Sequence, residues 1–173
     1  MQKKNLDVFN DSHIKVPFVL PEITNEDKKA IMSTLNQNLL TDGPKLRIFE
    51  KEFAKFTGAK YAIGVSNATA ALHLSLKAIG IKKGDEVIVP DLTFVASANA
   101  ILVSGATPVI VDISKEDYNI SISSIENSIN KKTKAIMPVH FAGKPCKMNK
   151  IKAIASKHSL SVIEDCAHAI GSR

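Results

Sequence analysis

The fold of this chain is decided by the stretch SVIEDCAH at residues 161–168. The run from Leu160 to Ile163 is short and apolar, which is typical of a strand buried on both faces of a sheet. Two carboxylates, Glu164 and Asp165, end that run. Because open α/β sheets bind ligands at the carboxyl ends of their strands, Asp165 could face a cation or a protonated ring nitrogen. Alternatively, Asp165 is only the N-cap of the next segment, a position that Asp often takes.

Apolar runs alternate with helical patterns from residue 60 onward. An alternation that lasts about 110 residues predicts right-handed crossovers and a mostly parallel sheet. We therefore expect an α/β protein with three α/β/α layers. The predicted strands are Tyr61–Val65, Glu86–Val89, Pro108–Val111, Ala135–Val139 and Leu160–Ile163.

Two further helices are predicted before this alternation begins. Residues 1–16 are polar and predict an N-terminal arm, and residues 17–173 form the predicted domain. Thr24 is the predicted N-cap of the first helix, and Pro44 suits the first position of the second. Phenylalanines recur at helical spacing after Pro44, from Phe49 to Phe56, and this apolar stripe is expected in the core.

Composition excludes several classes of protein. The chain has 173 residues, of which 45% are hydrophobic and 23% charged, as in soluble globular domains. No apolar run reaches the length of a membrane span, and no signal peptide is evident. Two cysteines without further ligands at metal-binding spacing argue against a disulfide framework and against a metal site, so a reducing cytoplasm is expected. The net charge of +6 is scattered and Trp is absent, so nucleic-acid binding is not expected.

Polar or aromatic residues follow several of the predicted strands. The stretch Ser66–Ala71 passes from strand to helix through small and hydroxyl residues, so its free N–H groups could bind a phosphate, or it could be a plain N-cap. Phe94 could cover a flat ligand or pack in the core. His140 and His168 stand near strand ends, where they could line a site or be ordinary structural residues.

Many ordered motifs in this chain match one protein family. They are DGP at 42–44, FE at 49–50, SNATAAL at 66–72, GDEVIVP at 84–90, TF at 93–94, GATP at 105–108, TKAI at 133–136, PVH at 138–140 and EDCAH at 164–168. Together they resemble the DegT/StrS family of sugar aminotransferases, which use pyridoxal phosphate (PLP) and have the fold-type I architecture. Each motif alone would be weak, but their number and order over residues 16–173 make the resemblance specific.

The resemblance implies a PLP site and assigns residues to it. A carboxylate at the ring nitrogen keeps that nitrogen protonated, which makes the ring an electron sink. The implied residues are Ala68, Thr69 and Ala70 at the phosphate, Phe94 on the ring face, Asp165 at the ring nitrogen and His168 near the ring hydroxyl.

The resemblance also implies the reaction and its partners. It implies amino transfer to a keto sugar carried on a nucleotide, with glutamate as amino donor, by a homodimer. The family's Schiff-base lysine lies downstream of the Asp, so we expect it beyond Arg173, and no lysine of this sequence matches it. The stretch 17–173 would then be an incomplete large domain without the C-terminal small domain, inactive by itself.

Three alternatives remain open from the sequence. Relatives that carry histidine in place of the lysine imply a PLP-dependent sugar 3-dehydratase. A non-catalytic fragment could bind a nucleotide sugar or a partner chain. A Rossmann-like binding protein without PLP is the third alternative, although the chain has no G-x-G-x-x-G fingerprint after a strand.

Overall fold

The computed structural model describes residues 21–172, so the predicted polar arm at residues 1–16 lies outside the described residues. The chain divides into two compact units, Met1–Glu52 and Phe53–Arg173. In the first unit, helix α1 (Asn25–Leu35) begins at the predicted N-cap, Thr24. The Thr24 hydroxyl accepts the Asp27 N–H at 3.2 Å, and the Asp27 carboxylate accepts the Thr24 N–H at 2.8 Å. These hydrogen bonds, first the backbone one from Thr24, lower the pKa of Asp27.

Helix α2 (Pro44–Thr57) begins at Pro44, as predicted. It is followed by Gly58, whose φ of +73° is a conformation that favours glycine and ends helices. The expectation that its phenylalanine stripe lies in the core is wrong for the part of the chain that the structure describes. Phe49 is 56% exposed and Phe56 is 64% exposed, and α2 has no buried residue. An apolar stripe is buried only where another element covers it.

Four of the five predicted strands are present, namely β1 (Glu86–Pro90), β2 (Thr107–Val111), β3 (Thr133–Ile136) and β4 (Ser161–Val162). They form one parallel sheet with the order β2-β1-β3-β4. The fifth, Tyr61–Val65, is not a strand. Tyr61 is 74% exposed and Ile63 is 82% exposed. A strand is held by the backbone groups of a neighbour, and within residues 21–172 none pairs with this run.

Helices cover both faces of the sheet, which confirms the three-layer α/β/α arrangement. Side chains alternate between the faces of a strand, so Val87 and Val89 of β1 pack in one core cluster and Ile88 packs in the other. The first cluster contains residues of helices α3 (Ala68–Ala78) and α4 (Ala96–Val103), and the second contains residues of α5 (Ile122–Ser128) and α6 (Met148–His158). Among the described helices, none combines the length and the apolar character needed to cross a membrane.

Candidate functional site

Asp165 lies just beyond the carboxyl end of β4, as the sequence predicts. Its backbone continues the ladder between β3 and β4, because the Asp165 N–H donates to the Pro138 carbonyl at 2.9 Å. The Asp165 carbonyl accepts the N–H of His140 at 3.2 Å. The backbone of Asp165 is therefore fixed by the sheet, at the edge where α/β proteins bind ligands.

The Asp165 carboxylate is buried, with the residue only 7% exposed, and both of its oxygens accept hydrogen bonds. Oδ2 accepts the hydroxyl of Ser97 at 2.8 Å, and Oδ1 accepts the N–H of Ala167 at 3.2 Å. The bond to Ala167 is the local turn contact of an N-cap-like Asp, whereas the bond to Ser97 spans 68 residues. Each carboxylate oxygen can accept more than one hydrogen bond, so capacity remains for a cationic N–H.

Ser97 joins Asp165 to the loop that carries Phe94. The Ser97 N–H donates to the Phe94 carbonyl at 3.1 Å, and the hydroxyls of Ser97 and Thr93 lie 2.8 Å apart. Phe94 itself is 73% exposed, so its open alternative, packing in the core, is wrong for the described chain. The backbone of Phe94 is thus linked to Asp165 through Ser97, and an exposed aromatic side chain on such a loop could cover a flat ligand.

The start of α3 is a capped helix end whose first two residues are exposed. The side chain of Asn67 accepts the N–H of Ala70 at 2.9 Å, so Asn67 is the N-cap and Ala70 is already engaged. Ala68 and Thr69 are exposed at the same helix end. The first turn of a helix attracts anions through its N–H groups and dipole, and phosphate binding at Ala68 and Thr69 remains a prediction.

His140 is buried at 5% exposure, and its tautomer follows from its two neighbours. Its Nδ1 accepts the backbone N–H of Cys146 at 3.0 Å, so the ring proton sits on Nε2. Nε2 lies 3.1 Å from Oε2 of Glu164 and donates to it. His140 thus belongs to a structural network next to Asp165 along the sheet edge. His168 is exposed and packs edge-on against Phe141, with ring centroids 6.4 Å apart.

One group of side chains has the composition of a metal site. Potential ligand atoms of His140, Glu164 and Cys166 lie within 4.8 Å of one another. They border a cavity of about 570 Å³. A metal would need the lone pair of Nε2, but that atom carries the ring proton as long as Nδ1 accepts from Cys146. The hydrogen bonding of His140 therefore favours a structural network here.

Neither cysteine is activated as a nucleophile. Burial raises the pKa of the Cys146 thiol to about 11. Cys166 is exposed as a residue, but partial burial of its thiol, followed by the charges of Glu164 and Asp165, also raises its pKa. Both thiols are thus mainly protonated at neutral pH, whereas nucleophilic cysteines need a lowered pKa.

Comparison with known proteins identifies the family. A sequence model of the DegT/DnrJ/EryC1/StrS aminotransferase family matches residues 21–173. The chain belongs to this family. The resemblance stated from the motifs is therefore confirmed.

Known proteins resemble this DegT family member in sequence and in structure. The spore coat polysaccharide biosynthesis protein SpsC of Bacillus subtilis is 48% identical over 90% of this chain and 40% of its own length. The GDP-perosamine synthase of Escherichia coli O157:H7 is 46% identical over 91% of this chain and 44% of its own. The crystal structure of NtdA from Bacillus subtilis, with the cofactor PMP bound, is 40% identical, with a TM-score of 0.81 over 86% of this chain and 35% of its own. The chain thus spans about 40% of the length of the curated relatives it matches.

The structure of this DegT family chain joins only some of the residues that the sequence assigned to the site. Asp165 and the Phe94 loop are linked through Ser97, whereas a single pocket shared by Thr69, Phe94, Asp165 and His168 remains a prediction. Sequence reasoning missed Ser97 as a functional candidate. The feature of the sequence that could have indicated Ser97 is its spacing of four residues from Thr93. This spacing places both hydroxyls on one side of the turn that leads into α4.

Proposed function

We propose that this chain is the cofactor-binding part of a PLP-dependent aminotransferase that acts on a keto sugar. The observation that carries the proposal is the environment of Asp165. Its carboxylate is buried at a strand end, and each of its oxygens accepts a hydrogen bond. Family membership supports the same role, because NtdA has PMP, the amine form of this cofactor, bound in its crystal structure.

The described residues fit PLP by their chemistry. The cofactor is flat, with a phosphate at one end and a ring nitrogen at the other, and it supplies an electron sink for amino transfer. The buried carboxylate of Asp165 would hold a proton on the ring nitrogen, and the exposed ring of Phe94 would cover the cofactor's face. The exposed N-terminal turn of α3, with Ala68 and Thr69, would bind the phosphate. Ala70 is the third residue assigned to the phosphate. It would contribute through its backbone, close to the hydrogen bond that its N–H donates to Asn67.

His168 is proposed to stand near the hydroxyl side of the ring. It lies three residues after Asp165 and is exposed, so its imidazole can reach a ligand bound at the same sheet edge. Its ring packs edge-on against Phe141, which limits its orientations. An imidazole there would donate or accept a hydrogen bond at a phenolic oxygen, depending on its tautomer.

The partners of the whole protein are part of this proposal. The substrate would be a keto sugar on a nucleotide carrier, as the name of the related GDP-perosamine synthase suggests for that protein, and glutamate would be the amino donor. We also propose a homodimer working in the cytoplasm. We also propose that the lysine that forms the Schiff base with PLP lies beyond Arg173.

Titration of the chain with PLP tests the proposal. We expect saturable binding, with the fluorescence or absorbance of PLP as readout. Asp165→Asn should weaken it by about tenfold to a hundredfold, because a hydrogen bond to a charged group contributes about 1.5–3 kcal/mol. The matched control is Asp112→Asn, since Asp112 also follows a strand but is exposed. Absence of saturable binding to the wild-type chain, or equal affinity of the Asp165→Asn variant, would overturn the proposal.

A further inference from the structure

We propose that Ser97 is a positioning residue for Asp165, and that Thr93 fixes the direction of the Ser97 hydroxyl. The inference rests on the proposed function, because it assigns a role to the residues behind the carboxylate that would face the cofactor. Ser97 is completely buried, so it would not touch that ligand itself. It acts through its hydrogen bond to Oδ2 of Asp165.

The direction of the hydrogen bonds follows from the chemistry of the three side chains. An ionised carboxylate can only accept, so the Ser97 hydroxyl donates its proton to Asp165 at 2.8 Å. The lone pairs of the same oxygen are then free to accept the Thr93 hydroxyl, also at 2.8 Å. The alternative acceptor of Thr93 is the Phe94 carbonyl, at a longer 3.3 Å. A chain of donors from Thr93 through Ser97 to Asp165 is therefore the favoured arrangement.

The behaviour of Ser97 differs from that of an ordinary buried helix serine. Buried serines in helices commonly return their hydroxyl to the carbonyl four residues earlier. Ser104, at the other end of α4, does so by donating to the Ala100 carbonyl at 2.8 Å. Ser97 is completely buried, yet its hydroxyl bonds instead to the side chain of Asp165. Its hydrogen bond thus serves the carboxylate and not its own helix.

This arrangement fixes the plane of the carboxylate. Ala167 holds Oδ1 through the backbone, and Ser97 holds Oδ2 from a different element of the fold. Two donors on opposite oxygens prevent rotation about the bond to the carboxyl carbon. The remaining lone pairs then point in a constant direction, which a directional hydrogen bond to a ring nitrogen requires.

The test compares Ser97→Ala with Ser104→Ala. Both variants remove one hydroxyl from a buried serine of the same short helix region, but only Ser97 contacts Asp165. Ser97→Thr restores a hydroxyl at the same place. The readouts are the dissociation constant of PLP, the nitrogen-15 chemical shift of ring-labelled PLP as a function of pH, and the thermal unfolding of each variant.

We expect Ser97→Ala to weaken PLP binding by about threefold to tenfold. We also expect it to lower the pH at which the bound ring nitrogen loses its proton, because a misdirected carboxylate stabilises the charged ring less well. Ser104→Ala should leave both quantities at their wild-type values, and Ser97→Thr should recover them at least in part. A merely structural serine would change the unfolding temperature without moving the nitrogen titration.

Two results overturn the inference. The first is a Ser97→Ala chain whose PLP affinity and nitrogen titration equal those of the wild type. The second is an equal loss in Ser104→Ala, which would show that lost packing in α4 is the cause. If Ser97→Ala does not fold, Thr93→Val carries the test, since this isostere removes only the second link and should shift the nitrogen titration in the same direction to a smaller extent. A wild-type chain that binds no PLP would instead refute the proposed function itself, and the inference with it.

Discussion

His140 and Glu164 are joined by a hydrogen bond of 3.1 Å between Nε2 and Oε2, directly beside the strand end that carries Asp165. Because Nδ1 of His140 accepts the N–H of Cys146, the histidine ties three segments together: the end of β3, the end of β4 and the loop before α6. The hydrogen bonds of His140 thus hold these three segments together at the sheet edge.

Substitutions of His140 and Glu164 should lower the stability of the chain by different amounts. His140→Ala leaves the buried Cys146 N–H without its acceptor, and we expect a loss of about 1–3 kcal/mol in the free energy of unfolding. Glu164→Gln keeps an acceptor for Nε2 at a partly exposed position, so its cost should stay below about 1 kcal/mol. Urea denaturation measures both. A costlier Glu164→Gln would mean that charge, and not the bond to Cys146, stabilises this edge.

The N-cap of α3 allows capping and phosphate binding to be separated. Asn67→Ala removes the acceptor of the Ala70 N–H and should cost about 1 kcal/mol of stability. Asn67→Asp keeps the cap, and its charge suits the helix dipole, so stability should hold. The same charge should repel the PLP phosphate and weaken binding. Unchanged PLP affinity in Asn67→Asp would place the phosphate elsewhere.

Replacing isoleucine with alanine at two positions tests whether Tyr61–Val65 forms a strand. Ile88 of β1 is fully buried, so Ile88→Ala should cost about 2–5 kcal/mol. Ile63 is 82% exposed, and Ile63→Ala in this chain should change stability by less than about 0.5 kcal/mol. The measurement is the free energy of unfolding of each variant in denaturant, compared with that of the wild type. Comparable losses at both positions would show that Tyr61–Val65 is a buried strand after all.

The two cysteines should react with alkylating reagents at different rates. Only the thiolate reacts, and a raised pKa lowers its fraction at a given pH. Cys166 is exposed, whereas Cys146 is buried with a pKa of about 11, so Cys166 should be modified first at neutral pH. The rate at Cys146 should keep rising until the pH reaches about 11. Peptide mapping by mass spectrometry follows both sites, and Cys166→Ser should abolish the fast phase. Faster modification of Cys146 would contradict its burial.

Local patterns predicted most of the helices and strands of this chain. Thr24 and Pro44 begin helices as expected, because capping and a restricted φ act within one turn of the chain. The apolar runs around Val87 and Val109 became strands because each has a neighbour in the sheet. The same kind of run at Tyr61–Val65 did not, since its residues lie outside the sheet in the described chain.

Asp165 shows where sequence alone could determine the site and where it could not. Its place after an apolar run determined that a carboxylate stands at the carboxyl end of a strand, because strand direction and crossover handedness follow from local pattern. Its partner was decided only by tertiary structure. Ser97 lies 68 residues away, and the order of the strands in the sheet and the packing of α4 against it bring the two together. No local period encodes such a contact, since a buried hydroxyl finds its acceptor only after the layers have packed.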